Sequence, residues 1–141
     1  MNYQNEIVEE ALSWVGTKYH SGANIKGVAV DCGQILIEVY GNVGVIDKFD
    51  TGAYAQDWNL HRSEEKYLSF INQYCTRVEK PQIGDICLYK FGRCISHSGI
   101  IVDEDLNIVH ALIRIGVTIS HYLEGNLEDR FFGFYRLNKL L

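Results

Sequence analysis

Proline is nearly missing from this sequence. Pro81 is the only one in 141 residues, so there is little to build a stiff extended linker from. Basic residues are also few: Lys and Arg total 13 against 18 Asp and Glu, a formal charge of −5. Polyanion recognition needs clustered Lys and Arg, so nucleic acid is not an expected partner. No apolar run approaches the roughly 18 residues of a membrane-spanning helix, so no membrane span is expected. The first six residues, MNYQNE, are polar and acidic rather than basic and then apolar. No secretory signal is therefore expected, and synthesis is expected to leave the chain in the cytoplasm. In that compartment the four cysteines are expected as thiols, not as two disulfides. There is no C-x-x-C pair, and Cys87, Cys94 and His97 match no common zinc spacing. Gly22 to Gly27 lacks the Gly-Lys-Ser/Thr of a P-loop. No metal and no cofactor are expected.

Hydrophobic residues make up 47% of the chain, enough for one core at this length and too little for two ordinary domains. One domain over residues 1–141 is the expectation. Ile7, Val8, Ala11, Leu12 and Val15 recur at helical spacing, with Gly16 as a stop. Residues 18–30 hold two glycines, Gly22 and Gly27, without periodicity and read as a loop. A second helix is expected from Asp31, with Ile35, Leu36, Val39 and Tyr40 as its buried stripe and Gly41 as its end. Residues 44–60 read as loop. Ser63 is suited to cap a third helix, with Glu64 and Glu65 in its first turn and Tyr67, Phe70, Ile71 and Tyr74 on its apolar face. After Pro81 the pattern changes. Residues 83–91, 97–102, 107–112, 117–121 and 131–137 are short, rich in β-branched or aromatic residues, and separated by Gly, Asp or Asn. Helices first and strands afterwards predict an α+β fold, with an antiparallel sheet backed by helices.

Asp31-Cys32-Gly33 stands where the glycine-rich loop gives way to the second helix. A thiol there meets the positive end of the helix dipole and the unpaired first-turn N–H groups, which favour the thiolate. Asp31 supplies a cap, Gly33 lets a substrate backbone approach, and the Cys32 N–H is a candidate oxyanion donor. Downstream, His97 stands between two small serines at the start of an apolar strand, and His110 lies one strand later. Cys32 as nucleophile, His97 as base and His110 as the group that fixes the orientation of His97 make a coherent site for acyl transfer. Each also has a plainer reading, as a small buried thiol or as a sheet histidine paired with backbone. His121, beside Tyr122 and Glu124, reads as an exposed strand end. His61-Arg62-Ser63-Glu64-Glu65 lacks the second histidine of a zinc helix and reads as a solvated helix start.

Five segments carry a resemblance to the NlpC-type cell-wall cysteine peptidases. They are Trp14-Val15-Gly16-Thr17-Lys18-Tyr19, Asp31-Cys32, Pro81-Gln82-Ile83-Gly84-Asp85, Ser96-His97-Ser98-Gly99-Ile100 and Val109-His110-Ala111. They stand in the family's order and span most of the chain. Asp57 to Glu65 resembles a segment of the phage, prophage and gene-transfer-agent branch, whose members are tail-associated. The resemblance implies a papain-like layout, with N-terminal helices packed on a C-terminal antiparallel sheet. Its catalytic residues would be Cys32, His97 and His110, with Tyr19, Asp31 and Gly33 on the oxyanion and substrate side. The implied substrate is the peptide stem of bacterial peptidoglycan, cut after a D-glutamyl residue, and the implied partners are tail proteins that carry the chain to the cell wall. The chain departs from the family in three places. Gly33-Gln34 replaces the common Ser-Gly, Lys18 replaces a proline, and His20-Ser21-Gly22 replaces an aromatic and glycine pair. Two other classes fit the same pattern: a tail-tip binding module with a decayed site, and an amidase or acyltransferase acting on another amide. Thiol reactivity separates the first, and product analysis on peptidoglycan the second.

Overall fold

A computed structural model describes residues 2–52 and 66–141. The Asp57 to Glu65 segment, with the expected Ser63 cap and its acidic first turn, lies outside the described residues.

Helix α1 (Tyr3–Leu12) is capped by Asn2, whose side chain accepts from the Asn5 N–H at 3.3 Å, and it buries Ile7 and Ala11. It ends earlier than its apolar spacing predicts. Leu12 and Val15 are exposed, and Trp14 turns inward instead, its Nε1 donating to Glu10 Oε2 at 2.7 Å. An indole buries more apolar area than either aliphatic side chain, so the turn that sinks Trp14 wins over one more helical turn. Gly16 then donates to Val117 O at 2.9 Å and Val117 donates to Thr17 O at 2.8 Å, which ties the helix exit to the large sheet.

Residues 18–30, expected as loop, contain three two-residue strands: β1 (Lys18–Tyr19), β2 (Asn24–Ile25) and β3 (Ala29–Val30). β3 pairs parallel with β1 and antiparallel with β2. Two-residue strands are too short to show any period, so sequence pattern cannot reveal them. Their effect is to fix the approach to Asp31.

Helix α2 (Gln34–Val43) buries Ile35, Leu36, Val39 and Tyr40 as expected. It runs past Gly41 and stops at Gly44, which takes the left-handed conformation (φ 88°) that a C-terminal stop requires. Helix α3 (Lys66–Tyr74) leads directly into an unanticipated strand, β4 (Cys75–Val78). The large sheet adds β5 (Ile86–Phe91), β6 (Cys94–Ile101), β7 (Asn107–Leu112), β8 (Gly116–His121) and β9 (Phe131–Leu137). A short helix α4 (Leu127–Arg130) precedes β9. The order is β4-β9-β5-β6-β7-β8, and every pair is antiparallel.

Alternation on β5 divides the core. Ile86 and Leu88 join the cluster built with Ile7, Ile35, Val39 and Tyr40 of the helices and Trp14 of the turn after α1, whereas Cys87 and Tyr89 face a second cluster with Ile101, Ile108 and Leu127. The expected strand from residue 83 starts at Ile86 because the preceding turn is spent on a buried ion pair. Arg136 holds both Asp85 carboxylate oxygens at 2.9 Å, and Asp85 also accepts from the Gln82 N–H at 2.7 Å. β6 begins three residues before His97, so that residue lies inside the strand. Gly99 is required where β6 meets β7, since a Cβ there would run into the Ile108 side chain. β6 and β7 pair only at Ile100↔Val109 and Ile101↔Ile108, so the strands part on the side where His97 and His110 stand. Among the described residues, no helix is long and apolar enough to cross a membrane.

Candidate active site

The Asp31 carboxylate builds the turn that presents Cys32. One oxygen accepts from the Gly33 and Gln34 N–H groups at 3.1 and 2.8 Å, and the other from the Gly22 N–H at 2.7 Å. It thus satisfies donors at the start of α2 and pins the small sheet to it. Asp31 is 2% exposed. Its place in the structure is that of an anchor beneath the site.

Cys32 is half-buried, while Cys75, Cys87 and Cys94 are buried, and all four are free thiols. The Cys32 thiol donates to the carbonyl of Ser96 at 3.2 Å, which seats the sulfur on the peptide group joining Ser96 to His97. Tyr67 and Ser98 close over the same residue: the Tyr67 hydroxyl lies 3.0 Å from Cys32 O and 2.6 Å from Ser98 Oγ, and Ser98 Oγ donates to Cys32 O at 3.0 Å. Gly33 leaves room for this lid, as a Cβ would approach the Tyr67 ring to 3.1 Å. Tyr19, half-buried on β1, packs against the main core and hydrogen-bonds the Cys32 side chain.

His97 and His110 are 6% and 1% exposed. His97 Nε2 and His110 Nδ1 are 2.9 Å apart, and the rings cross at 63°. The His97 ring is packed edge-on against Phe91 and tilted against Tyr89. Beyond it, His110 Nε2 lies 2.8 Å from Ser120 Oγ on β8.

The electrostatics run opposite to what a helix N-terminus suggests. Desolvation, with the Asp31 charge adding to it, pushes the Cys32 thiol up to about 12 from its ordinary 9.0; the hydroxyls of Tyr67 and Tyr19 pull the other way and lose. The same carboxylate that caps the helix also offsets the positive field that would have stabilised a thiolate. Desolvation likewise presses His97 down to about 3, with the neighbouring His110 contributing, and His110 down to about 4. The resting site is a neutral thiol and two neutral imidazoles. The expected standing thiolate is corrected on this point.

The structure therefore brings Cys32 to the Ser96–His97 peptide, His97 to His110, and Tyr19 to Cys32, with Asp31 and Gly33 in the supporting turn. His121 is exposed, and its Nδ1 accepts the Leu123 N–H at 3.3 Å in a turn. Tyr67, Ser98 and Ser120 were not singled out from the sequence. Tyr67 falls on the apolar stripe of α3 and reads as core; Ser98 is visible only as the second small flank of His97. Ser120 carries no local signal, since its contact with His110 is diagonal across strands. Among the described residues, no group of three or more His, Cys, Asp or Glu is placed to hold a metal ion.

No protein-family profile matches this sequence, and no curated protein matches it. Solved structures do. One, described as similar to lipoprotein and of the NLP/P60 family, from Staphylococcus aureus subsp. aureus Mu50, aligns with a TM-score of 0.66 at 19% identity, covering 96% of this chain and 41% of its own. A second, the NlpC/p60 domain of the peptidoglycan hydrolase SagA, aligns with a TM-score of 0.60 at 18% identity, covering 96% of this chain and 97% of its own. The chain thus spans less than half of the first neighbour and nearly all of the second. The fold is the papain-like one that the sequence resemblance implied.

Proposed function

We propose that this chain is a cysteine peptidase of the NlpC/P60 kind that hydrolyses an amide bond in the peptide stem of bacterial peptidoglycan. The observation that carries this reading is the seating of the Cys32 thiol on the Ser96–His97 peptide, with His97 bonded in turn to His110. That order is what nucleophilic acyl transfer needs: a thiol, a base beside it, and a polar group orienting the base. The likeness to an NlpC/p60 domain of a peptidoglycan hydrolase supports the choice of substrate.

Because the resting thiol is neutral, proton transfer accompanies attack. The S–H swings from Ser96 O toward His97; sulfur bonds to the stem-peptide carbonyl carbon as His97 takes the proton. His97 then gives that proton to the departing amine, leaving a thioester on Cys32. Water attacks the thioester and delivers one proton to His97; Cys32 recovers that proton as the C–S bond breaks, and the carboxylic acid released gives its remaining proton to solvent. The Tyr19 hydroxyl, beside the sulfur, stabilises the oxyanion of each tetrahedral intermediate. The scissile bond joins a D-glutamyl residue to a diamino acid, and the chain reaches the wall on a phage or phage-like tail. Both follow from the sequence resemblance.

Digestion of purified peptidoglycan, with mass analysis of the released muropeptides, tests the reading. One new amine per cut on the diamino acid is the expected product. Release of intact stems, or transfer to an added amine without hydrolysis, would assign the site to an amidase or acyltransferase.

A further inference from the structure

The hydrogen-bonded chain that starts at His97 does not end at His110. Ser120 Oγ lies 2.8 Å from His110 Nε2 and also donates to the His121 carbonyl at 3.3 Å. A hydroxyl has one proton, and a carbonyl can only accept. Both contacts are made together in a single way: Ser120 gives its proton to His121 O and accepts the proton of His110 Nε2. In a neutral imidazole His110 Nδ1 is then a bare acceptor, so the proton in the 2.9 Å contact belongs to His97 Nε2. His97 Nδ1 is left with its lone pair. The reverse assignment, Ser120 donating to His110 Nε2, breaks the contact with His121 O and passes the wrong proton down the line, leaving His97 Nδ1 already protonated.

We propose that Ser120 is a positioning residue that sets the tautomer of both imidazoles, through His110, so that His97 Nδ1 stands ready to accept a proton. Its consequence for catalysis rests on the acyl-transfer reading of Cys32, His97 and His110; the tautomer itself does not. The main-chain carbonyl of His121 makes the device one-way, because it cannot donate. The hydrogen bonds of Ser120 run to His110 and to the His121 carbonyl, so it acts on the site through His110.

Histidine ¹⁵N chemical shifts of the whole chain near neutral pH, in wild type, Ser120→Ala and Ser120→Thr, decide it. Wild type is expected to show His97 with Nε2 protonated and Nδ1 bare. Ser120→Ala should move His97 toward the other tautomer, and Ser120→Thr, which keeps the hydroxyl, should restore the wild-type pattern. In kinetics on peptidoglycan, Ser120→Ala should lower kcat by about 10-fold with KM unchanged. That is less than the roughly 10⁴ that a fixed wrong tautomer costs a serine-protease triad, since only a bias is lost. A wild-type His97 protonated at Nδ1, a Ser120→Ala spectrum like wild type, or a shifted tautomer with unchanged kcat would each overturn the proposal. Should wild type itself not cut peptidoglycan, the acyl-transfer reading fails while the spectra still decide the tautomer.

Discussion

His97 Nε2 and His110 Nδ1 are bonded at 2.9 Å where β6 and β7 stop pairing, so two imidazoles take over where the backbone ladder ends. Neither residue is free to rotate. Phe91 and Tyr89 hold one ring, and Ser120 holds the far nitrogen of the other.

Under the proposed acyl-transfer reading, His97 carries the proton and His110 only orients it through their 2.9 Å contact. In His110→Asn the side-chain amide oxygen can still accept from His97 Nε2, so activity should fall but persist. His110→Ala should lose more, about 10²–10³ in kcat, which stays under the roughly 10⁴ cost of losing the orienting member of a serine triad. Steady-state rates at saturating substrate, with folding checked by circular dichroism, measure both. Equal and complete loss in folded His110→Asn and His97→Ala would make His110 a direct participant in proton transfer.

Access and ionisation make opposite demands on thiol alkylation. Cys32 is half-buried, whereas Cys75 is 6% and Cys87 and Cys94 are 0% exposed. Iodoacetamide should therefore label Cys32 first in the folded protein. With its thiol pushed up to about 12, the rate should be slow near pH 7 and still climbing above pH 9. Fast labelling that is flat with pH below 7 would mean that a thiolate is already present.

Stability should fall on both sides of a plateau. The folded values of His97 and His110, about 3 and about 4, lie below the ordinary 6.5, so on acidification the unfolded chain binds protons first. Their contribution is complete above pH 6.5 and is lost as pH falls toward those folded values. By pH 5 the loss should be of the order of 1–2 kcal/mol per histidine. Cys32, Cys75 and Cys87 are each raised to about 12 from 9.0, so the unfolded chain loses protons first and stability declines above pH 9. Urea midpoints across pH 5–10 should show this shape, and a midpoint unchanged between pH 7 and pH 5 would contradict it.

Asp31→Ala removes the acceptor for the Gly22, Gly33 and Gln34 N–H groups. Loss of a cap and of further part-buried bonds should cost about 2–3 kcal/mol in urea unfolding. The substitution also removes a charge that holds the Cys32 thiol up, so alkylation at pH 8 should quicken in the folded variant. A cost below about 0.5 kcal/mol would show that these bonds are replaced by water.

Long patterns were legible in the sequence, while short or diagonal ones were not. β7 falls on the expected residues 107–112 and β9 on 131–137, because each carries several apolar or aromatic residues between clear turn residues. The α2 stripe from Ile35 to Tyr40 is equally plain, but the helix end is not: Gly41 is tolerated inside the helix, and the left-handed stop falls three residues later at Gly44. β4 escaped because Thr76 and Arg77 face solvent on an edge strand that continues straight from α3. In the site, Cys32, His97 and His110 announce themselves by residue type. Tyr67 and Ser120 do not, since their contacts to Cys32 and His110 arise only when α3 and β8 are packed in place. The thiol's electrostatics are hidden for a related reason: the helix dipole is local and visible in sequence, whereas desolvation depends on the whole fold.

The most direct measurement is turnover of a defined stem peptide by wild type and by Cys32→Ala, with intact-protein mass recorded on rapidly quenched samples. Wild type should cleave the peptide and carry a transient acyl adduct on the peptide containing Cys32. Cys32→Ala, which deletes one sulfur at a helix start and should keep the fold, should show neither adduct nor product. Wild-type turnover in Cys32→Ala would contradict the assignment of Cys32 as the nucleophile.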